Sequence, residues 1–524
     1  MELVRIRFTE LPHTRKLFTD FLYHYERVAP FYSGNPDDAA SFESAAAKLN
    51  YPEARRAALV EALRAQNGDH ESLRLLARPG AVAVVTGQQV GLFSGPCYTI
   101  HKALTAVKLA RQLCSRGIQA VPVFWLATED HDLAEVSHCW SFNAAQEPVF
   151  LRLETPAHSL RPVGEVELEN PPLNELRSSL SRLPFGDELS AITELAYAPG
   201  RTMGAAFQEL LRRLLPSCLL YLDPLRESIR TLAAPFLREA FRATDGLVRQ
   251  LQERTKELES AGYHAQVRVE PNTTLFFLLR EGRRLALRKQ DGDYRAGDLR
   301  FSSDELAGLA SRLSPNALLR PVMQDYLLPT VAYVGGPAEV AYFAQSQVLY
   351  RALLGRMPVA FPRATFTLLD ARAAKLMSRY GLGLEHFFHS LEPLTERIAA
   401  GLIPAGIEGS IVDATDAIDG RLQELRMDLA AFDSTLASAL DKSRAKIRYQ
   451  LTKISQKAAR EALRRDDRAE ADARYLYNLI YPRKHPQERM YTALPFLARH
   501  GLDLPQRIYE QIRLDCRDHV LLRV

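Results

Sequence analysis

The fold is decided by the stretch AVAVVTGQQVGLFSGPCYTIHK, residues 81–102. It begins with a short β-branched apolar run after Gly80, which is typical of a buried strand. A glycine-containing loop follows and leads into residues 98–113, where apolar side chains recur at helical spacing. Residues 121–126, VPVFWL, have the character of a second buried strand. Strand, loop, helix and strand in this order predict a βαβ unit, and therefore a parallel sheet.

The composition is that of a soluble globular protein, because 47% of the 524 residues are hydrophobic and 25% are charged. These values exclude a disordered chain, a collagen-like chain and a disulfide scaffold. The formal net charge of +4 is small for this length, so we expect no nucleic-acid partner. No run of about 18 apolar residues occurs, so we expect no membrane span and no membrane partner.

The five cysteines are scattered, and none forms a CxxC pair. This pattern argues against a disulfide framework and against a cysteine zinc site, so no metal is predicted. The first residues carry charges and lack the apolar run of a secretory signal peptide, so we expect a cytoplasmic protein. Cys97, beside the glycine loop, is expected to be a small packing residue rather than a nucleophile.

Composition shifts and hydrophobic periodicity predict one α/β core that is interrupted twice and extended by a helical arm. The predicted segments are an N-terminal helical segment (1–78), the first half of the core (79–142), an irregular first insertion (143–212), a core strand with one long amphipathic helix (213–262), a second insertion that forms a β meander (263–315), the second half of the core (316–385), a coiled-coil arm (386–474) and a C-terminal segment that returns to the core (475–524).

The predicted arm has a heptad pattern in its apolar residues. Ile411, Ile418, Leu425 and Phe432 are spaced seven apart, and a second apolar run follows Asp433. This pattern predicts an antiparallel helical hairpin or a coiled coil. Basic residues recur between 444 and 457, where we expect a solvated face, with an anionic ligand or partner as the alternative.

The loop between the first strand and its helix contains the first set of candidate ligand-binding residues. They are Gly87, Gln88, Gln89, Gly95, Tyr98, Thr99, His101 and Lys102. Ligands of open α/β sheets bind beyond the carboxyl ends of the strands, where glycines and a helix N-terminus favour an anion. The loop matches neither GxGxxG nor GxxxxGK[ST], so no standard nucleotide fingerprint applies. The alternative is a turn that needs glycine, with His101 packed in the core.

The second candidate loop follows the second strand and is acidic. Its candidate residues are Trp125, Glu129, Asp130, His131 and Asp132. Neighbouring carboxylates favour a cation, an amine substrate or a nearby arginine. The histidine is a candidate general base or metal ligand, although one histidine with carboxylates fits no strong zinc pattern. The alternative is an acidic cap on the following helix.

A third strand-to-helix loop lies near residue 335 and completes the predicted cleft. It contributes Gly335, Gly336 and Glu339, and the nearby polar residues Arg320, Gln324 and Arg363 are candidates for holding a substrate carboxylate. The alternatives are a helix cap for Glu339, and surface or ion-pair roles for the others. Three strand-end loops that converge on one cleft favour a functional site.

The chain resembles the bacillithiol-biosynthesis cysteine-adding enzymes, the BshC family. The resemblance rests on Gly87-Gln88-Gln89, Gly95-Pro96, residues 98–102, Glu129-Asp130-His131-Asp132, Arg320-Pro321-Val322-Met323-Gln324, Gly335-Gly336-Pro337 with Glu339, and Pro486-Gln487-Glu488-Arg489, in this order along nearly the whole chain. It implies a Rossmann-like core related to nucleotidylyltransferases and class I synthetases, with two insertions and a dimerising coiled coil.

The resemblance also implies a reaction, in which cysteine is joined to the amine of glucosaminyl-malate in the last step of bacillithiol synthesis. Activation of the carboxylate by ATP is one expected route, although the chain lacks the HIGH signature. On this hypothesis Gly95, Thr99, His101 and Lys102 hold phosphates, and Glu129, Asp130 and Asp132 hold an ammonium group. His131 takes a proton, and Arg363 holds malate carboxylates. His101, Asp130 and His131 are the expected catalytic residues.

Two other functions remain open from the sequence. One is a nucleotidyltransferase or ligase that uses the same cleft for another small acid. The other is a non-catalytic scaffold whose cleft only binds a ligand.

Overall fold

The computed structural model describes residues 3–154, 160–270, 272–290 and 292–524. In these ranges the strands are β1 (Leu3–Ile6), β2 (Val82–Gln89), β3 (Ala120–Ala127), β4 (His138–Phe142), β5 (Pro148–Arg152), β6 (Leu220–Leu222), β7 (Thr273–Arg280), β8 (Arg283–Gln290), β9 (Asp293–Ala296), β10 (Leu299–Phe301), β11 (Leu313–Pro315), β12 (Thr330–Gly335), β13 (Val359–Pro362), β14 (Phe366–Leu369) and β15 (His519–Arg523).

The α-helices of the same ranges alternate with these strands in the core and dominate the C-terminal third. They are α1 (Lys16–Tyr23), α2 (Ala39–Ala47), α3 (Glu53–Asn67), α4 (Glu71–Leu76), α5 (Tyr98–Ser115), α6 (Leu133–Val136), α7 (Leu173–Leu180), α8 (Gly186–Ala196), α9 (Met203–Leu214), α10 (Glu227–Arg242), α11 (Thr244–Ser260), α12 (Ser303–Gly308), α13 (Arg320–Leu327), α14 (Pro337–Leu354), α15 (Ala371–Tyr380), α16 (Leu391–Ala400), α17 (Ala405–Phe432), α18 (Ser434–Arg465), α19 (Ala469–Ile480), α20 (Gln487–Met490), α21 (Leu494–His500) and α22 (Leu504–Gln511).

The central sheet has five parallel strands in the order β13-β12-β2-β3-β6, which confirms the predicted α/β fold class. β2 pairs with β3 along its whole length, from Val82 opposite Ala120 to Gln89 opposite Ala127. Both strands are buried almost throughout, because helices cover the two faces of a parallel sheet and exclude water from its apolar side chains. The carboxyl ends of β2, β3 and β12 therefore meet at one edge of the sheet.

The two interruptions of the core differ in how well the sequence predicts them. The second is an antiparallel sheet in the order β10-β9-β8-β7-β11, which confirms the predicted meander. The first, predicted over residues 143–212, contains β5 and the helices α7 to α9, so the prediction of an irregular segment was wrong; β4, which pairs with β5, lies just before it. Helices α7 and α8 have only 8 and 11 residues, which is too short for a clear helical period.

The long helix predicted after β6 is also corrected, because α10 and α11 are separate helices that meet at Ala243. The residues after Ala243 are Thr244, Asp245 and Gly246, which are weak helix formers and favour a break. The apolar faces on both sides of the break keep the same period, so the sequence pattern did not reveal it.

The arm is an antiparallel hairpin of α17 and α18, as the heptads predict. Asp433 ends α17 and caps α18, since its Oδ1 accepts the Thr435 N–H at 2.6 Å. Arg444 and Arg448 both pair with Asp419 of the facing helix, so part of the basic run serves the hairpin itself. No side chain of α17 is fully buried in the chain.

The chain termini come together in a third sheet of the order β1-β15-β14. This sheet and helices α19 to α22 return the C-terminal segment to the core, where α20 packs against β14 and α22 against α5. Within the described residues, no single helix is long and apolar enough to cross a membrane, and α16 with α17 pass that test only as a pair bent by 95°.

Candidate active site

A cavity of about 1080 Å³ lies at the carboxyl ends of β2, β3 and β12. It is large enough for two small metabolites. Most of the predicted site residues line it, namely Gly87, Gln88, Gln89, Tyr98, Lys102, Trp125, Glu129, Asp130, His131, Asp132, Arg320, Gly336, Glu339 and Arg363. The structure therefore brings the three strand-end loops to one place.

Five predicted residues do not line this cavity. They are Gly95, Thr99, His101, Gln324 and Gly335. Gly95 borders a smaller neighbouring cavity, and its φ of +63° is a conformation that favours glycine. Thr99, Gln324 and Gly335 are buried, and the Gln324 amide donates to Asp325. These residues support the loops without lining the cavity.

Lys102 joins two of the loops through its ammonium group. Its Nζ donates to the Gly87 carbonyl at 2.6 Å and to Gln88 Oε1 at 3.0 Å, and it forms an ion pair with Glu339 Oε2 at 2.6 Å. Glu339 Oε2 also accepts the Gly336 N–H at 2.8 Å, so it caps α14 as well as lining the cavity. Burial alone would raise the pKa of Glu339, but Lys102 and this N–H hold it below its usual value.

The backbone of the first loop approaches the second strand closely at Gly87. A Cβ atom at this position would lie 2.8 Å from the Trp125 carbonyl oxygen, so only glycine fits without a shift of the backbone. The close approach places the Gly87 carbonyl at the cavity wall within reach of Lys102.

The carboxylates of the acidic loop have different environments. Glu129 is buried and pairs with Arg230 at 2.5 Å, and burial raises its pKa although the arginine opposes the shift. Asp130 Oδ2 accepts the Gln89 amide at 2.7 Å. Burial would raise the pKa of Asp130, but the Gln89 hydrogen bond and the charge of Arg284 hold it low. Both carboxylates already have partners, which argues against the expectation that they hold the ammonium group of a substrate.

His131 lies beside an arginine that the sequence analysis did not select. Its Nδ1 is 3.1 Å from Arg284 Nη1, and burial together with that positive charge lowers the pKa of His131. Arg284 comes from β8, in the second insertion, and so links the meander to the acidic loop.

Arg363 and His101 share one buried carboxylate, Glu488. The Arg363 guanidinium donates to both oxygens of Glu488, at 2.8 and 2.6 Å, and His101 Nδ1 lies 2.9 Å from one of them. Burial would raise the pKa of Glu488, but the two partners hold it well below its usual range. His101 is 2% exposed, and burial lowers its pKa. Both side chains are committed to Glu488, which argues against the expectations that Arg363 holds a substrate carboxylate and that His101 reaches the substrate.

Unpaired charges of both signs remain on the cavity wall. Among the residues that the structure describes, Arg152, Arg320 and Arg489 form no ion pair, and neither do the carboxylates Asp132 and Glu135. Arg320 donates to a tyrosine hydroxyl, and Arg489 lies over the Tyr98 ring with 5.8 Å to its centroid. Asp132 also caps α6, as the alternative interpretation of the acidic loop expects.

Sequence reasoning missed several of these residues for different reasons. Glu488 and Arg489 stood in a motif that carried the family resemblance, which was the available signal, but nothing local gave them a role. Arg284 and Arg230 lie in regular elements far along the chain, where no pattern separates them from other arginines. Cys97 is buried, and burial raises its thiol pKa far above the usual value, in agreement with a packing role.

No group of three or more His, Cys, Asp or Glu side chains in the described ranges is arranged to hold a metal ion.

Comparisons with known proteins agree with the Rossmann-like core and the helical arm. The family model described as "Bacillithiol biosynthesis BshC, N-terminal Rossmann-like domain" matches residues 1–364, and "Bacillithiol biosynthesis BshC, C-terminal coiled-coil domain" matches residues 366–524. Three relatives carry the curated name "Putative cysteine ligase BshC". The protein of Solibacter usitatus is 53% identical over 100% of both chains, that of Koribacter versatilis 36% over 99% of both, and that of Salinibacter ruber 32% over 97% of this chain and 96% of its own.

Proposed function

The chain belongs to the BshC family of bacillithiol biosynthesis, and from this premise we propose that it is a ligase that joins cysteine to the amine of glucosaminyl-malate. The observation that carries the proposal is the cavity of about 1080 Å³ at the strand ends, with unpaired arginines and unpaired carboxylates on its wall. Both substrates are small and carry charges of both signs. A common cavity converts their encounter into a reaction between neighbouring groups.

The unpaired charges suggest which groups contact each substrate. We propose that Arg320 and Arg489 bind the malate carboxylates, since a guanidinium group without an ion pair matches a carboxylate in two hydrogen bonds. Asp132 and Glu135 are the proposed partners of the ammonium group of cysteine. The binding role that the sequence suggested for Arg363 passes to these other arginines, because Glu488 already neutralises Arg363.

A nucleotide would supply activation of the cysteine carboxylate. The four residues that the sequence assigned to its phosphates do not fit that role as they stand. Thr99 and His101 are buried away from the cavity, Gly95 borders the smaller cavity, and the charge of Lys102 is matched by Glu339. None of these four residues is therefore assigned to a nucleotide phosphate, and use of ATP stays a proposal that the assay below decides.

The test of the function is incubation of the purified protein with cysteine and glucosaminyl-malate, with and without ATP, followed by mass spectrometry of the products. We expect a new thiol with the mass of the amide-linked product. Absence of this thiol under both conditions would contradict the proposal. A product formed without ATP would remove nucleotide activation from it.

Replacement of Arg489 by glutamine is expected to raise KM for glucosaminyl-malate about 10- to 100-fold with little change in kcat, because a charged hydrogen bond contributes about 1.5–3 kcal/mol. Arg489 is exposed, so the fold should be unaffected. Steady-state kinetics of Arg489→Gln measure the effect, and Arg474→Gln on the exposed side of α19 is the matched control. An unchanged KM in Arg489→Gln would exclude this arginine from the binding site.

We also propose that the chain forms a homodimer through the α17–α18 hairpin. Large apolar side chains of both helices remain exposed, including Met427 at 59%, Phe432 at 83% and Ile454 at 53%. Exposed apolar surface of this extent on a long hairpin favours association. Light scattering should give about twice the chain mass of 58.9 kDa, and Met427→Lys should shift the mass toward that of one chain. A single-chain mass for the unaltered protein would exclude the dimer.

A further inference from the structure

Arg284 has no part in the substrate contacts proposed above, yet several neighbouring groups fix the position of its guanidinium group. Its Nε donates to Ser314 Oγ at 3.0 Å and its Nη2 to the Pro315 carbonyl at 3.0 Å. The guanidinium also stacks on Phe277, with 3.8 Å to the ring centroid. The remaining nitrogen, Nη1, is thereby fixed at 3.1 Å from His131 Nδ1.

The chemistry of this contact determines where the His131 ring carries its proton. A guanidinium group has donors only and stays charged, so Nδ1 of His131 must be the acceptor. The neutral ring then carries its proton on Nε2. In a doubly protonated ring, the Nδ1–H donor and the positive charge of His131 would face the N–H donor and the positive charge of Arg284.

The other charged groups around His131 do not remove this constraint. Asp130 Oδ1 is 3.8 Å from Nδ1, which is too far for a hydrogen bond, and it accepts the backbone N–H of His131 at 2.7 Å instead. The negative charge of Asp132, in the same loop, also acts on the His131 ring. From β7, the uncharged ring of Phe277 packs against the His131 ring. Burial and Arg284 lower the pKa of His131 in spite of the two aspartates.

We propose that Arg284 is a positioning residue that fixes His131 as the Nε2–H tautomer, so that His131 donates a hydrogen bond to the acyl oxygen of the substrate. The inference rests on the proposed ligase function. Nε2 has no hydrogen-bond partner in the part of the chain that the structure describes, and His131 lines the cavity. Amide formation places negative charge on the acyl oxygen, where a fixed donor is most effective. This role replaces the expectation that His131 takes a proton.

The tautomer can be measured without any assay of activity. Nitrogen-15 NMR of the full-length protein, labelled in histidine, distinguishes a protonated Nε2 from a protonated Nδ1, and the His131 signals are identified by their loss in His131→Gln. We expect the Nε2–H form in the unaltered protein. In Arg284→Met we expect a mixture of tautomers and a titration midpoint raised by about one pH unit. Arg283→Met is the matched control, because Arg283 is the exposed neighbour on β8, and it should leave both signals unchanged.

The kinetic effect should follow the tautomer. We expect kcat of Arg284→Met to fall about 100-fold with KM nearly unchanged. The variant loses only the hydrogen bond from His131 Nε2–H to the acyl oxygen, which matters most when that oxygen becomes negatively charged. Arg284→Gln, which removes the charge but keeps a polar side chain, is a second variant should the methionine variant fail to fold. An Nδ1–H tautomer, or an unaltered His131 titration in a folded Arg284 variant, would overturn the proposal. A lack of ligase activity in the unaltered protein would overturn the proposed function instead, while the NMR result still decides the tautomer.

Discussion

Glu488→Gln is expected to destabilise the protein by about 3–5 kcal/mol, because it leaves the buried Arg363 guanidinium without a carboxylate. The side chains of Arg363, His101 and Glu488 are 4%, 2% and 6% exposed, so water cannot replace the lost charge. Glu488 also accepts the backbone N–H of Phe366 at 3.3 Å, where the first residues of the C-terminal coiled-coil region meet the core. The loss should therefore weaken the attachment of the C-terminal segment to the α/β core.

Denaturant-induced unfolding, followed by fluorescence, measures this effect. The chain has two tryptophans, Trp125 in the central sheet and Trp140 beside Tyr491. Their fluorescence therefore reports on the core and on its contact with the C-terminal segment. Glu470→Gln, an exposed carboxylate on α19, is the matched control and should leave the unfolding midpoint unchanged. Equal midpoints for Glu488→Gln and the control would show that the buried pair contributes nothing to stability.

The effect of Glu488→Gln should depend on pH in a defined direction. The native pKa of Glu488 is lowered relative to the unfolded chain, so its ionised form contributes stability above the unfolded value of about 4.3. This contribution is lost as the pH falls through the native pKa, when the carboxyl group of the unaltered protein becomes protonated. The difference between the two proteins should therefore be full at neutral pH and should shrink in acid.

The central βαβ unit and the three loops were predictable because their signals are local. A β-branched run, a following glycine and a helical period each arise from neighbouring residues, and parallel pairing then places the strand ends together. The partner of each charged side chain was not predictable, because it depends on contacts between distant parts of the chain. Arg363 and Glu488 are 125 residues apart, and Arg284 is 153 residues from His131, so no spacing reveals either contact.

The consequence for the candidate site is that residue type was predicted better than residue role. Lys102 and Arg363 were selected as cations of the cleft and do line it, but the folded chain supplies a carboxylate to each of them. Arg320 was selected on the same grounds and forms no ion pair with any residue that the structure describes. Only the folded structure separates a cation that is available to a ligand from one that is already neutralised.

Lys102→Met is expected to destabilise the protein by about 3–5 kcal/mol and to lower ligase activity, whereas the double variant Lys102→Met with Glu339→Gln should recover most of both. The single change leaves Glu339 as a largely buried carboxylate without its cation, and the double change removes both charges together. Lys108→Met, on the same helix but away from the cavity, is the matched control. Unfolding midpoints and kcat/KM of the four proteins measure the coupling between the two residues.

Recovery of activity in the double variant is expected from the number of donors on Lys102. An ammonium group has three N–H donors, and here they are directed to Gly87, Gln88 and Glu339. No donor is left for a phosphate or a carboxylate, so the substrate does not depend on Lys102, and the penalty of the single change is mainly the unpaired charge of Glu339. If stability returned in the double variant while activity stayed low, Lys102 would contact the substrate after exchanging one of these bonds. The present geometry favours the other result, in which the buried pair sets the shape of the cavity and the unpaired arginines bind the acid.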